Sequence, residues 1–599
     1  MTKAILRKTF RLCKAFSYDT FNKRMIRLRF YSFQPQLTCY NRTRRTKSPT
    51  RGRKAMSADA IVLSQKLFCG TEDCTRSGAF AVENGKISAV GSRDDILSLR
   101  NAQTDIIDAG DALVCAGFHD SHLHFFHSAL YGSPLALRYC GTSEQDCVAA
   151  LAPLAAQRPA GSWLLTQGWR QAHWSPANTP SRASLDAVYP DRPVAMYSGD
   201  AHTLWLNSRA LEQLGIAEDA PDPEGGTYDR DKNGRLTGIV REAAAMLLMP
   251  KIVASFTVEE IESAYEGFLA RLASKGITAI CDMSLMAAPG LDFVRDDVFA
   301  SLLAQNKLTC RIHMFPTLLD DMSRLFTMQK TYRGNMLRAC GFKQFFDGVS
   351  SQHTAWLERD YANARFAGDH GRPTIDPDHL RTLVLAAHEK GQAVRVHAIG
   401  DEAIHTILDI YEEARATFGP LPHGLHHCIE HLEGFLPADI KRVAQLDVVA
   451  AVQPMHITLD PGAPEVDLGP ERVPYMWPFA SMLKSGATLA FGTDSPVCDI
   501  DPLPGIYTAI TRKTIPDGQP AGGWLPTERI SAPAALRAYT AGSAHACGRA
   551  SELGTLEVGK LADFVILDTD ITSCADEDIL KAQVQATYVG GKQVYGAAH

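Results

Sequence analysis

Two histidines one residue apart, His122 and His124, close the run Gly117-Phe118-His119-Asp120-Ser121-His122-Leu123-His124. On an extended strand, residues i and i+2 face the same side about 6.6 Å apart. Two imidazoles so placed can grip one cation from one side. The pattern of an apolar run stopping at a metal-type ligand recurs along the chain. Ala393-Val394-Arg395-Val396-His397 stops at His397, and His427-Cys428-Ile429-Glu430-His431 stops at His431. Leu489-Ala490-Phe491-Gly492-Thr493-Asp494 stops at Asp494, and Lys343 lies among aromatics in Gly341-Phe342-Lys343-Gln344-Phe345-Phe346. Imidazoles joined by a carboxylate suit Zn²⁺, and an ion with an open position activates water for hydrolysis. No cysteine stands at these strand ends, which argues against a closed structural site built from them.

Elements must bring these residues together. Eight apolar runs read as strands, at 112–118, 277–283, 308–315, 339–346, 392–397, 424–430, 447–453 and 487–492. Amphipathic stretches between them, such as Thr257 to Lys275, Pro377 to Lys390 and Glu402 to Phe418, read as helices. Alternating strands and helices predict an α/β protein with a (β/α)₈ barrel over residues 116–544, whose strand C-termini share one mouth. The gap between the first two strands predicts an insertion at about 125–255. Short strands with an Asn84-Gly85 turn near the start, and Phe564-Val565-Ile566-Leu567 near the end, predict one small β-sandwich from residues 56–115 plus 545–599.

Composition sets outer limits. The 599-residue chain is 45% hydrophobic and 21% charged, as expected of a globular protein with ample core. No apolar run nears the roughly 20 residues of a membrane span. Residues 1–55 hold sixteen Lys and Arg against Asp19 alone, a net +15 that leaves −21 for the rest of a chain totalling −6. An acidic body argues against nucleic acid as a partner. The leader, residues 1–55, is Arg-rich and acid-poor, as mitochondrial transit peptides or disordered tails are, so the expected location is cytoplasmic or, with a transit peptide, mitochondrial. Scattered cysteines without framework spacing suggest a reducing compartment, where Cys115, Cys281 and Cys428 behave as small hydrophobes.

The ordered set G-F-H-D-S-H-L-H, V-H-A-I-G-D, I-E-H and G-T-D-S-P resembles the metal motifs of the amidohydrolase superfamily. The run Tyr197 to Ser208, Thr237 to Ala243, Phe346-Asp347-Gly348 and Leu553 to Asp563 point to its amidohydrolase 3, or YtcJ-like, branch. The likeness spans about residues 60–595. It implies one or two divalent metal ions held by His122, His124, Lys343, His397, His431 and Asp494, with Lys343 as a bridging carbamate. In the two-metal form His122, His124 and Asp494 hold one ion, His397 and His431 the other. The resemblance also implies hydrolysis of a non-peptide C–N bond in a neutral small-molecule amide such as an N-substituted formamide.

Asp494 is the expected proton acceptor and donor. Substrate contacts are expected from Asp200, His202, Trp169 and Gln453. His427 shares the face of His431 but lies four residues earlier, and His388 is expected to be solvated or capping. Alternatives are cyclic-amide opening, deamination, or a non-catalytic metal-bound regulatory protein of the same fold; a homodimer is compatible with all of them.

Overall fold

The computed structural model describes residues 58–171, 174–199, 203–223, 226–285, 292–422, 424–515 and 517–597. The basic leader, Asp200 and His202 lie outside them. Eight strands carry the site: β1 Phe118–Leu123, β2 Ile277–Met283, β3 Arg311–Phe315, β4 Phe342–Phe345, β5 Val394–Ala398, β6 Cys428–His431, β7 Val449–Val452 and β8 Thr488–Phe491. All pair in parallel and in chain order, β1 to β3 in one run and β4 to β8 in another. Two isolated parallel bridges, Thr317 with Lys343 and Leu123 with Ser495, join the runs at both junctions. Nearly every residue on these strands is buried, as parallel strands covered on both faces require.

Helices lie in each interval. Val258–Ser274 starts at a capping box in which Thr257 and Glu260 each bond the other's backbone N–H, and it buries Ile261, Tyr265, Phe268 and Leu272. Pro377–Glu389 is capped by Asp376, and Asp401–Phe418 buries Ile404, Ile407, Leu408 and Tyr411. Among the described residues no helix is long and apolar enough to cross a membrane.

The run expected as the first strand, 112–118, divides in two. Leu113–Ala116 belongs to a different sheet, pairing with Phe564–Leu567, and the site strand β1 begins only at Phe118. The break is at Gly117, whose N–H bonds the Asp563 carbonyl and where a Cβ would stand 2.3 Å from the Thr278 side chain. Apolarity failed as a guide because β1 buries His119, Asp120, Ser121 and His122. Similarly, 339–346 splits into Leu337–Ala339 and β4.

Both chain ends meet in one eight-stranded sheet, where strands from residues 60–116 join strands Phe564–Leu567, Val584–Val589 and Lys592–Tyr595. Asn84 and Gly85, both at positive φ, make the tight turn between Arg76–Glu83 and Lys86–Gly91. Phe80 and Phe564 are three strands apart in the sheet order, roughly 14 Å if flat, yet their ring centroids lie 5.2 Å apart. The sheet therefore curls over onto itself. Residues between β1 and β2 build a separate six-stranded mixed sheet, from Ala136–Arg138 to Leu236–Glu242, over its own core.

Candidate active site

The strand ends converge on Asp494. Its Oδ1 lies 3.4 Å from His122 Nε2 and 3.2 Å from His124 Nε2. Single ligand atoms of His122, His431 and Asp494 stand within 4.8 Å of one another. His431 packs against His122 at 5.0 Å and against His397 at 4.4 Å between ring centroids. All five side chains are buried.

Each ring is turned by a bond to its outer nitrogen. His122 Nδ1 donates to Glu430 Oε2 at 2.6 Å, His124 Nδ1 to the Met283 carbonyl at 3.0 Å, and His431 Nδ1 to Gln453 Oε1 at 2.8 Å. These acceptors place the proton on Nδ1 and leave the Nε2 lone pairs facing inward. His397 is reversed: its Nε2 donates to the Gly348 carbonyl at 3.3 Å, which leaves Nδ1 as the free lone pair. Burial first, with the Lys343 charge second, pushes His397 down to about 3. Burial likewise holds His122 and His431 well below the imidazole range, so these rings are neutral.

A further layer of charged residues fixes these partners. Arg395 Nε donates to Glu430 Oε1 at 2.6 Å and Nη2 to the Ser121 carbonyl at 2.8 Å, with the guanidinium over the Phe315 ring. Asp120 ties β1 to the turn after β8, accepting from the His122 and Thr493 N–H groups and the Thr493 hydroxyl. Asp347 takes the N–H groups of Trp356, Ile399 and Gly400. That set of bonds fixes the loop beside His397, whose Nε2 is 3.5 Å from Asp347. Asp494 itself sits at φ +54, where a non-glycine residue is strained, and its N–H bonds the His122 carbonyl at 2.7 Å.

Lys343 is fully buried, and its Nζ has no hydrogen-bond partner among the described residues; the nearest aromatic face is Phe345, 4.8 Å away. Burial lowers its pKa to about 8, against the opposing pull of Glu430 and Asp494. Asp347, four residues on, bonds backbone N–H groups rather than this amine.

Other expected residues fall differently. Gln453 orients His431, and its Nε2 is buried without a partner among the described residues. Trp169 is a core residue of the insertion: its indole N–H bonds the Met196 carbonyl and its ring packs on Trp174 and Trp205. His427 is bonded to the Val394 N–H and to His388, so neither joins the cluster. His388 is buried, not solvated, because its Nε2 also reaches the Gly419 carbonyl. Sequence reasoning gave no role to Glu430, Arg395 or Asp120. Their one signal was a charge inside a run otherwise fit for a buried strand. His456, just past β7, lies 3.6 Å from Asp494 Oδ2.

A family model described as "Amidohydrolase family" matches residues 105–595. The chain belongs to the amidohydrolase family. It is 33% identical over 548 residues to "Protein LONG AFTER FAR-RED 3" of Arabidopsis thaliana, covering 90% of this chain and 92% of that protein. It is 27% identical over 537 residues to "N-substituted formamide deformylase" of Arthrobacter pascens, covering 86% of this chain and 94% of the relative. Among solved structures, an uncharacterized metal-dependent hydrolase from Pyrococcus furiosus superposes with a TM-score of 0.68 at 26% identity, over 86% of this chain and 100% of that one.

The residues of this amidohydrolase fit a divalent metal. His122 and His124 both aim Nε2 at Asp494 Oδ1, which has no hydrogen-bond partner among the described residues, and the His122 ring is neutral with its proton on Nδ1. Lone pair against carboxylate is repulsive, and a cation between them reverses the sign.

Proposed function

We propose that this amidohydrolase is a metal-dependent hydrolase of a C–N bond in a neutral amide, an N-substituted formamide being the favoured substrate class. The convergence of His122 and His124 on Asp494 carries the reading. The two parallel runs, bridged at both junctions, support a single (β/α)₈ barrel with His122, His124, His397, His431 and Asp494 at its mouth. The ends of the chain supply a sandwich-like domain beside it.

Zinc is the ion favoured by imidazole and carboxylate ligands, and when bound it supplies Lewis acidity and brings a water pKa from 15.7 to about 7. His122, His124 and Asp494 would hold one ion. His397 through Nδ1 and His431 through Nε2 would hold a second. With its pKa at about 8, Lys343 can shed its ammonium proton, and the neutral amine would add to carbon dioxide with loss of a second proton, giving an anionic carbamate suited to holding a divalent ion. Asp494 takes the proton of the attacking water at its carboxylate and hands it to the leaving nitrogen, so that amine and carboxylic acid part. Gln453 Nε2 is free to donate to the substrate, and Asp200 and His202 are proposed as polar contacts from the insertion.

Support comes from the family and from the deformylase-like relative. Release of amine and formate from a panel of N-alkyl formamides, abolished by a chelator and restored by zinc, is the expected result. Ammonia as the product would assign a deaminase instead. No turnover of any amide by metal-loaded protein would overturn the reading in favour of a non-catalytic metal-binding protein.

A further inference from the structure

A second cluster of metal-type side chains lies inside the same strands. His119 on β1, Cys281 on β2, His313 on β3 and Cys547, which caps the short helix Ser543–Ala546, are all buried. One donor atom from each lies within 4.8 Å of the other three. His119 Nε2 is 3.6 Å from Cys281 Sγ and 4.0 Å from Cys547 Sγ. A tetrahedral zinc with bonds of about 2.3 Å to sulfur and 2.0–2.1 Å to nitrogen holds neighbouring S and N ligands roughly 3.6 Å apart. The cluster already has nearly those edges.

We infer that His119, Cys281, His313 and Cys547 form a closed Cys₂His₂ site for a structural zinc ion, distinct from the Asp494 cluster. The His313 tautomer suits it. His313 Nδ1 donates to the Ile280 carbonyl at 3.0 Å, so Nε2 carries the lone pair. Arg549 Nη1 contacts that Nε2 at 3.1 Å, while its Nε is paired with Glu552, so the guanidinium would yield the lone pair to the ion without losing its own counter-charge. Charge suits it as well: two thiolates neutralise a divalent ion, as a buried site requires. Four ligands leave no open position, which is the mark of a structural site. The ion would fasten three strands to the C-terminal segment. Soft thiolates set it apart chemically from the imidazole and carboxylate groups around Asp494.

X-ray absorption at the zinc edge tests this on the full-length protein purified under reducing conditions. The nitrogen and oxygen ligands around Asp494 supply no sulfur. A sulfur shell at about 2.3 Å is expected, together with one equivalent of zinc that survives Asp494→Ala and is lost in Cys281→Ser/Cys547→Ser. Zinc-loaded wild-type protein with nitrogen and oxygen neighbours alone would overturn the site, as would a Cys281–Cys547 disulfide in that protein. The wild-type spectrum decides even if the double variant does not fold. It is also independent of turnover, so loss of the hydrolase reading would leave it standing.

Discussion

Glu430 grips His122: its Oε2 lies 2.6 Å from Nδ1 of the ring. The same carboxylate takes Arg395 Nε on its other oxygen, so one buried acid both aims a ligand and neutralises a buried guanidinium. Glu430→Gln keeps the shape and removes the charge. Metal affinity is expected to fall about 10–100-fold, as for other residues that orient a ligating histidine. Stability is expected to fall by about 3–5 kcal/mol, because Arg395 is left buried and unpaired. Competition with a chromophoric chelator and the unfolding midpoint measure the two effects. If neither moves, Glu430 is a bystander.

Asp494→Asn tests proton transfer when compared with wild type at matched metal content. Asn tolerates positive φ about as well as Asp, so the strained turn at φ +54 survives the change. The amide cannot accept a proton, and kcat is expected to drop about 10²–10⁴-fold with a smaller effect on KM. Steady-state kinetics on metal-loaded variant settle it: wild-type kcat would remove Asp494 from the mechanism.

Lys343→Met should separate stability from function. The pKa of about 8, against 10.5 for a free lysine, corresponds to about 3 kcal/mol spent on keeping an unpaired ammonium in the interior at neutral pH. Methionine fills similar space without the charge. Metal-free variant is therefore expected to unfold at a higher temperature than metal-free wild type, while hydrolysis declines. A lower midpoint for the metal-free variant would mean that Lys343 has a stabilising partner.

Much of the site was legible because its ligands end apolar runs: His397 lies on β5 directly after Val396, His431 ends β6 after Ile429-Glu430, and Asp494 follows β8 after Phe491-Gly492-Thr493. What failed has physical causes. Strand β1 is buried but polar, so hydrophobicity assigned its role to Leu113–Ala116. Trp169 looked like a substrate contact, but the insertion needed its own core and used the ring there. The Cys₂His₂ cluster was invisible because its members are spread over 428 positions and no two form a local motif. Cys281, in particular, reads as a small hydrophobe until β1 and β3 bring His119 and His313 to it.

His127 provides a pH test that does not involve the ring nitrogens facing Asp494. It is buried among Phe126, Phe293 and Tyr131, and neither ring nitrogen has a hydrogen-bond partner among the described residues. Burial lowers its pKa to about 3 from 6.5. Above about 6.5 both folded and unfolded chains carry it neutral, and it contributes no pH dependence. Between that value and about 3, the unfolded chain binds a proton that the folded chain refuses, so stability falls as pH falls, by about 1.4 kcal/mol per pH unit. His127→Phe keeps an aromatic ring and removes this contribution. Urea unfolding at pH 7.5, 6.0 and 5.0 should show the variant gaining on wild type by more than 1 kcal/mol between the first and last. Parallel curves for the two proteins would mean that His127 is protonated or solvated in the folded state.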